Sequence, residues 1–193
     1  MTQFRATTLS LCCFLILWVT SDMAQANEDW SITVYNAVLT AWDLETVLKF
    51  EADFEEDYQL WALALAKKVG SLTRHINIEI EGQMVQHTGE QDYMEFNGLG
   101  VARWLTFPWN RYLATSFAAG TGASYGTELS EIELRKSSDA KRWAAYVLFE
   151  LALSLPRVPA WSLVGRLHHR SDGFGLFGST GYNAVGLGVK YRF

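Results

Sequence analysis

Gly181-Tyr182-Asn183-Ala184-Val185-Gly186-Leu187-Gly188-Val189-Lys190-Tyr191-Arg192-Phe193 is the stretch whose reading decides the fold. One row of its side chains is Asn183, Val185, Leu187, Val189, Tyr191 and Phe193; the alternate row is small or charged. Alternation at period 2 with an apolar row ending in aromatics is the pattern of a strand in the wall of an outer-membrane β-barrel. The function then turns on which row faces lipid.

The rest of the chain fits this setting. Arg5, an apolar run from Leu9 to Val19 and the small-x-small site Ala24-Gln25-Ala26 read as a secretory signal peptide over 1–26. The run is too short for a membrane helix, which needs roughly 20 apolar residues. Both cysteines, Cys12 and Cys13, lie inside it. Leu11 stands before Cys12 where a lipoprotein signal wants a small residue, so the expected mature chain, 27–193, is cysteine-free and has no disulfide framework. No later apolar stretch is long enough to span as a helix, yet 49% of residues are hydrophobic and eight are tryptophan, a load that a barrel carries on its outside. The net charge of -5 argues against a nucleic-acid partner. No linker or repeat divides the chain, so one all-β domain is expected, a single antiparallel transmembrane barrel.

About eight strands can be placed, near 29–39, 57–68, 73–85, 92–107, 111–125, 141–155, 160–171 and 180–193. The connections Lys68 to Leu72, Pro108 to Asn110 and Pro156 to Pro159 are short and carry turn residues. Those at 41–56, 86–91, 126–140 and 172–179 are polar or glycine-rich and mostly longer. Short turns at one end and longer loops at the other are the asymmetry of such barrels, with turns periplasmic and loops outside. The segment Arg103 to Asn110, with Trp104 and Trp109, reads as an aromatic girdle and turn.

Parity assigns the faces. In 141–155 the row Trp143, Ala145, Val147, Phe149, Leu151, Leu153, Leu155 opposes Tyr146, Glu150 and Ser154. In 73–85 the row Ile76, Ile78, Ile80 opposes His75, Asn77, Glu79, Glu81 and Gln83. Inward carboxylates in a small, filled barrel need cationic partners, and Arg166, His168 and Arg170 share one row of 160–171. Glu79, Glu81, Glu150, Arg166, His168 and Arg170 are therefore expected to form an internal charge network.

The same parity turns His169 and Ser171 outward. Two apart on a strand, their Cβ atoms are about 6.5–7 Å apart, within reach of an imidazole–hydroxyl contact. Asn183 heads the next strand on the same outward row, ten residues before Phe193, and that length of tilted strand climbs about 25 Å, the apolar height of a barrel. Three polar groups thus meet at the outer rim, a place wet enough to tolerate them without any chemistry.

His169-Arg170-Ser171, followed about a dozen residues later by a polar residue at the head of a last strand ending in Phe193, resembles the lipid A 3-O-deacylase (PagL-like) family of outer-membrane barrels. The resemblance implies an eight-stranded barrel with a Ser-His-Glu triad on its outer face. It makes Ser171 the nucleophile and His169 the general base, and it puts Asn183 where the family has glutamate. An amide orients an imidazole but adds little charge stabilisation. Asp172-Gly173-Phe174 follows the serine, so Gly173 and Gly175 are the candidate oxyanion donors. Asp172 and Glu150 are the nearest substitute acids, and both point inward by parity. The implied reaction is serine attack on an ester-linked acyl chain of lipid A in the outer leaflet of the bacterial outer membrane, then hydrolysis of the acyl-enzyme. No cofactor or metal is expected; His75, His87, His168 and His169 lack ligand spacing. The loop Phe174-Gly175-Leu176-Phe177-Gly178 reads as an aromatic anchor or a cover for the acyl chain. The alternative is a non-catalytic barrel with a structural or lipopolysaccharide-binding role. An acyltransferase holding its chain inside would need an apolar lumen, against the inward charges.

Overall fold

The computed structural model describes residues 29–177 and 181–193; the expected signal peptide lies outside them. Eight antiparallel strands close into one barrel: β1 (Trp30–Thr40), β2 (Glu55–Thr73), β3 (Ile76–Gly89), β4 (Met94–Trp104), β5 (Ala114–Gly126), β6 (Trp143–Ser154), β7 (Trp161–Ser171) and β8 (Asn183–Arg192). Closure comes from β8 pairing back onto β1, from Ser31↔Arg192 to Thr40↔Asn183. It leaves no sheet edge, as a bilayer requires.

The expected alternation holds. Outward residues such as Val34, Leu63, Ile80, Leu151, Leu163 and Leu187 are exposed on an exterior with lipid-facing character, while their neighbours in sequence are buried. On β8 the inward row includes Gly186 and Gly188, where a Cβ would come within 2.1 Å of the Asn36 carbonyl oxygen and 2.3 Å of that of Val34. Only glycine lets β8 lie this close to β1 at the seam.

Several strand ends differ from expectation: β4 stops at Trp104 and β5 starts at Ala114, so the connection around Pro108 to Asn110 is longer than the turn read there, and β2 differs most. The segment Lys68 to Leu72 is not a turn: β2 runs on to Thr73, with register shifts between Lys68 and Gly70 and between Ser71 and Thr73. Gly70 marks a bulge, and the reversal falls at Arg74-His75. Two of the long connections also hold short helices, α1 (Leu44–Leu48) and α2 (Glu131–Lys136). Asp43 caps α1 by accepting from the Thr46 N–H at 2.8 Å, which holds its carboxyl below the usual range.

The lumen is filled. Toward the short-turn end, Glu79, Glu81 and Glu150 meet Arg103, Arg166 and Lys190, three anions against three cations. Arg166 binds both oxygens of Glu81 at 2.9 Å and Glu150 at 2.7 Å. Toward the loop end, Glu95 accepts from Arg170 at 2.9 Å and faces His168 at 3.0 Å and His87 at 3.3 Å. All six residues expected in the network are in it, in two charge groups that Gln83 and Asn97 join by hydrogen bonds to Glu81 and Glu95. Sequence parity had left out Arg103, Lys190 and Glu95; Arg103, read as part of an aromatic girdle, points inward and bridges Glu79 to Glu150. Tyr35, Leu39, Leu60 and Tyr182 form an apolar cluster that Ile132 of α2 completes, with the two tyrosine hydroxyls turned to His168 and Glu95.

Candidate active site on the outer wall

The ends of β7 and β8 bring the three sequence candidates together. His169 pairs in register with Asn183, and Ser171 with Ala145 of β6. Arg170, between the two candidates, is buried and turned to Glu95 inside, so His169 and Ser171 project to the exterior.

His169 Nδ1 lies 2.7 Å from Asn183 Oδ1. The Asn183 amide is oriented from its other end, because Nδ2 donates to the Trp42 carbonyl at 2.7 Å. With the NH2 group committed to Trp42, Oδ1 must accept, so Nδ1 of His169 carries the proton and Nε2 is the basic nitrogen. Although Asn183 is on the outward row, it is only 2% exposed, since the loop that begins at Trp42 covers it. Sequence parity could not foresee that cover, which comes from a segment some 140 residues away in the chain.

Ser171 is partly exposed, and among the described residues no hydrogen bond joins its hydroxyl to His169. Both line one cleft of about 300 Å³ with Trp42, Asp43, Leu44, Lys136, Asp172, Gly181 and Asn183. Neither substitute acid reaches the imidazole. Asp172 accepts from the Phe174 N–H at 3.1 Å, and Glu150 is held inside by Arg103, Arg166 and Lys190.

After Ser171 the chain turns in left-handed backbone at Gly173 (φ 60°), Phe174 (φ 63°) and Gly175 (φ 85°), closed by a bond from the Phe177 N–H to the Asp172 carbonyl at 2.9 Å. For Phe174 this conformation costs roughly 1–2 kcal/mol. Its side chain is fully exposed, so no packing within the chain offsets the strain. Phe50, nearly as exposed and just past α1, has the same backbone (φ 60°). Gly178, the last residue of the expected cover, lies outside the described residues.

Directly below the site, two pairs further down the ladder, Leu167 and Val185 open an apolar groove on the barrel exterior. Its floor is Phe149, Leu151 and Leu187, and its roof is Val47, Leu48, Phe50 and Phe54 from the α1 loop. The groove encloses about 490 Å³.

Sequence reasoning missed Lys136, placed in a polar loop. The last residue of α2, it reaches into the cleft and donates to the Gly181 carbonyl at 2.8 Å. Partial burial lowers its ammonium pKa, with Glu133 pulling the other way.

No protein-family model and no curated protein matches this sequence. Solved structures do. The outer membrane enzyme PagL superposes with a TM-score of 0.63 at 10% identity, over 84% of this chain and 99% of its own. Ail, the attachment invasion locus protein of Yersinia pestis, overlaps at a TM-score of 0.41 and 11% identity, over 86% of this chain and 97% of its own. At such identity the likeness to PagL is one of fold: a closed, eight-stranded barrel of outer-membrane type.

Proposed function

We propose that this barrel lies in the bacterial outer membrane, loops outward, and is a lipid A deacylase-like serine esterase acting on an ester-linked acyl chain. The carrying observation is the relay from Trp42 O through Asn183 to His169 Nδ1, which leaves Nε2 basic on the same outer wall as the Ser171 hydroxyl. The apolar groove immediately below supplies room for a hydrocarbon chain at the height of the bilayer, so a substrate could enter by lateral diffusion.

In this reading the Ser171 proton passes to His169 Nε2 as Oγ bonds the ester carbonyl carbon. The carbonyl electron pair moves onto oxygen. Collapse then breaks the bond to the sugar oxygen, which takes the proton from His169, and water repeats the sequence to release the fatty acid. Gly173 and Gly175 lie in the turn next to Ser171 and are the candidate backbone donors to the oxyanion. The serine and imidazole are to engage when substrate binds, as catalytic hydrogen bonds are often long before then.

A non-catalytic, lipopolysaccharide-binding or structural barrel is the second reading, favoured by the amide at position 183 and the disengaged Ser171 hydroxyl. Expression of the native chain and of Ser171→Ala in outer membranes, followed by mass spectrometry of lipid A, separates the two. The esterase reading expects loss of one hydroxyacyl chain with the native protein alone. Identical lipid A in both strains leaves the structural reading.

A further inference from the structure

Lys136 enters the cleft by construction. Ile132 and Glu133 of α2 are fully buried, the first in the luminal apolar cluster and the second beside Arg170. Positions three and four further along a helix share that face, so anchoring 132 and 133 aims residue 136 at the ends of β7 and β8. There its ammonium donates to Gly181 O at 2.8 Å. Gly181 is packed so tightly on β7 that a Cβ would lie 2.5 Å from the Arg170 carbonyl oxygen and 3.2 Å from Ser171 Cα. The ammonium thus binds the backbone segment that packs against Ser171, and both residues line the same cleft. An ammonium has three N–H donors, and Gly181 O is its one hydrogen-bond acceptor among the described residues.

We propose that Lys136 is the electrophilic residue of this site: its ammonium meets the negative charge that develops on the ester carbonyl oxygen when Ser171 attacks. The inference rests on the esterase reading above. As the Oγ–C bond forms, the carbonyl π pair becomes an oxygen lone pair beside Nζ, and no proton leaves the lysine. The arrangement compensates for Asn183. A triad carboxylate would stabilise the imidazolium; here the added charge sits instead at the other end of the reacting dipole, on the electrophilic side. A positive charge in the cleft acts on the negatively charged transition state more than on the neutral ester.

The test uses the full barrel folded in detergent micelles, with a neutral substrate, p-nitrophenyl dodecanoate, and with phosphorylated lipid A. Lys136→Met is expected to lower kcat on the neutral ester about 10²-fold with little change in KM, as removal of an oxyanion donor does, while Lys136→Arg retains most of the rate. If Lys136→Met keeps its kcat on the neutral ester and raises KM only for phosphorylated lipid A, the lysine binds a headgroup phosphate and the proposal is wrong. Unchanged rates on both substrates reduce it to a latch for α2 and also overturn it. Native protein no more active than Ser171→Ala sinks the esterase reading, and this inference with it. Should Lys136→Met fail to fold, Lys136→Gln, which can still bond to Gly181 O, gives the same reading.

Discussion

Replacing Asn183 by aspartate places a carboxylate oxygen at the position now occupied by Oδ1, 2.7 Å from His169 Nδ1. The charge centres of such a pair are about 4 Å apart, so at an effective dielectric near 20 the imidazolium gains about 4 kcal/mol. That corresponds to about 10³ in rate at ~1.4 kcal/mol per decade. The reverse exchange in a Ser-His-Asp protease costs about 10⁴. Against this stands the Trp42 carbonyl, which now accepts from Asn183 Nδ2 at 2.7 Å and would face an oxygen instead. Losing that bond costs about 1–3 kcal/mol, partly as stability and partly as disorder of the imidazole's support. Subtracting that cost leaves about 1–3 kcal/mol, so the expected outcome is a rise in kcat of roughly 5- to 150-fold by the same arithmetic. Hydrolysis of p-nitrophenyl dodecanoate by the folded barrel measures it, with Asn183→Leu as the control that removes the relay. A folded Asn183→Asp protein with unchanged or lower kcat, matched by Asn183→Leu, would show that the Asn183–His169 bond plays no part in catalysis.

Arg166→Met leaves the buried Glu81 and Glu150 short of a cation and should cost about 3–5 kcal/mol, read from urea unfolding of the detergent-folded barrel; a loss below about 1 kcal/mol would contradict the network's role. Glu133 is fully buried beside Arg170, and burial raises its carboxyl pKa despite that guanidinium. Because the folded value is the higher one, the folded state holds this proton more tightly. Its contribution is therefore intact below the unfolded value of 4.5 and is lost as pH rises through the raised folded value. Glu133→Gln should accordingly be more stable than native at pH 8, on the order of 1–3 kcal/mol, and equal to it near pH 4; equal urea midpoints at both pH values would refute this. Leu167→Trp, filling the groove below His169, should slow hydrolysis of long-chain esters far more than of acetate esters, and equal slowing of both would remove the groove from the site.

The barrel, its strand number and nearly every inward or outward assignment were legible in the sequence, because a half-buried strand writes its two environments into alternate residues. The outward pairing of His169 with Asn183 followed from the same rule, since parity and strand length together set both face and height. The extension of β2 past Lys68 was not legible: a bulge at Gly70 and a turn at glycine share one local signal, and only the pairing partner distinguishes them. Nor were Glu95, Arg103 and Lys190 assigned to the lumen's charge groups, for which partners from three or four strands must meet.

What the sequence determined alone is the wall, a property of local period and apolar content. What the tertiary structure decided is the company each wall residue keeps. The Trp42 carbonyl that orients Asn183, the α1 loop that roofs the groove and the Lys136 ammonium that shares a cleft with Ser171 all come from loops distant in the chain. Loops carry no periodicity that reports where they fold back, and their positions are set by burial of a few anchors such as Ile132, which becomes visible only once the barrel mouth that receives it has closed.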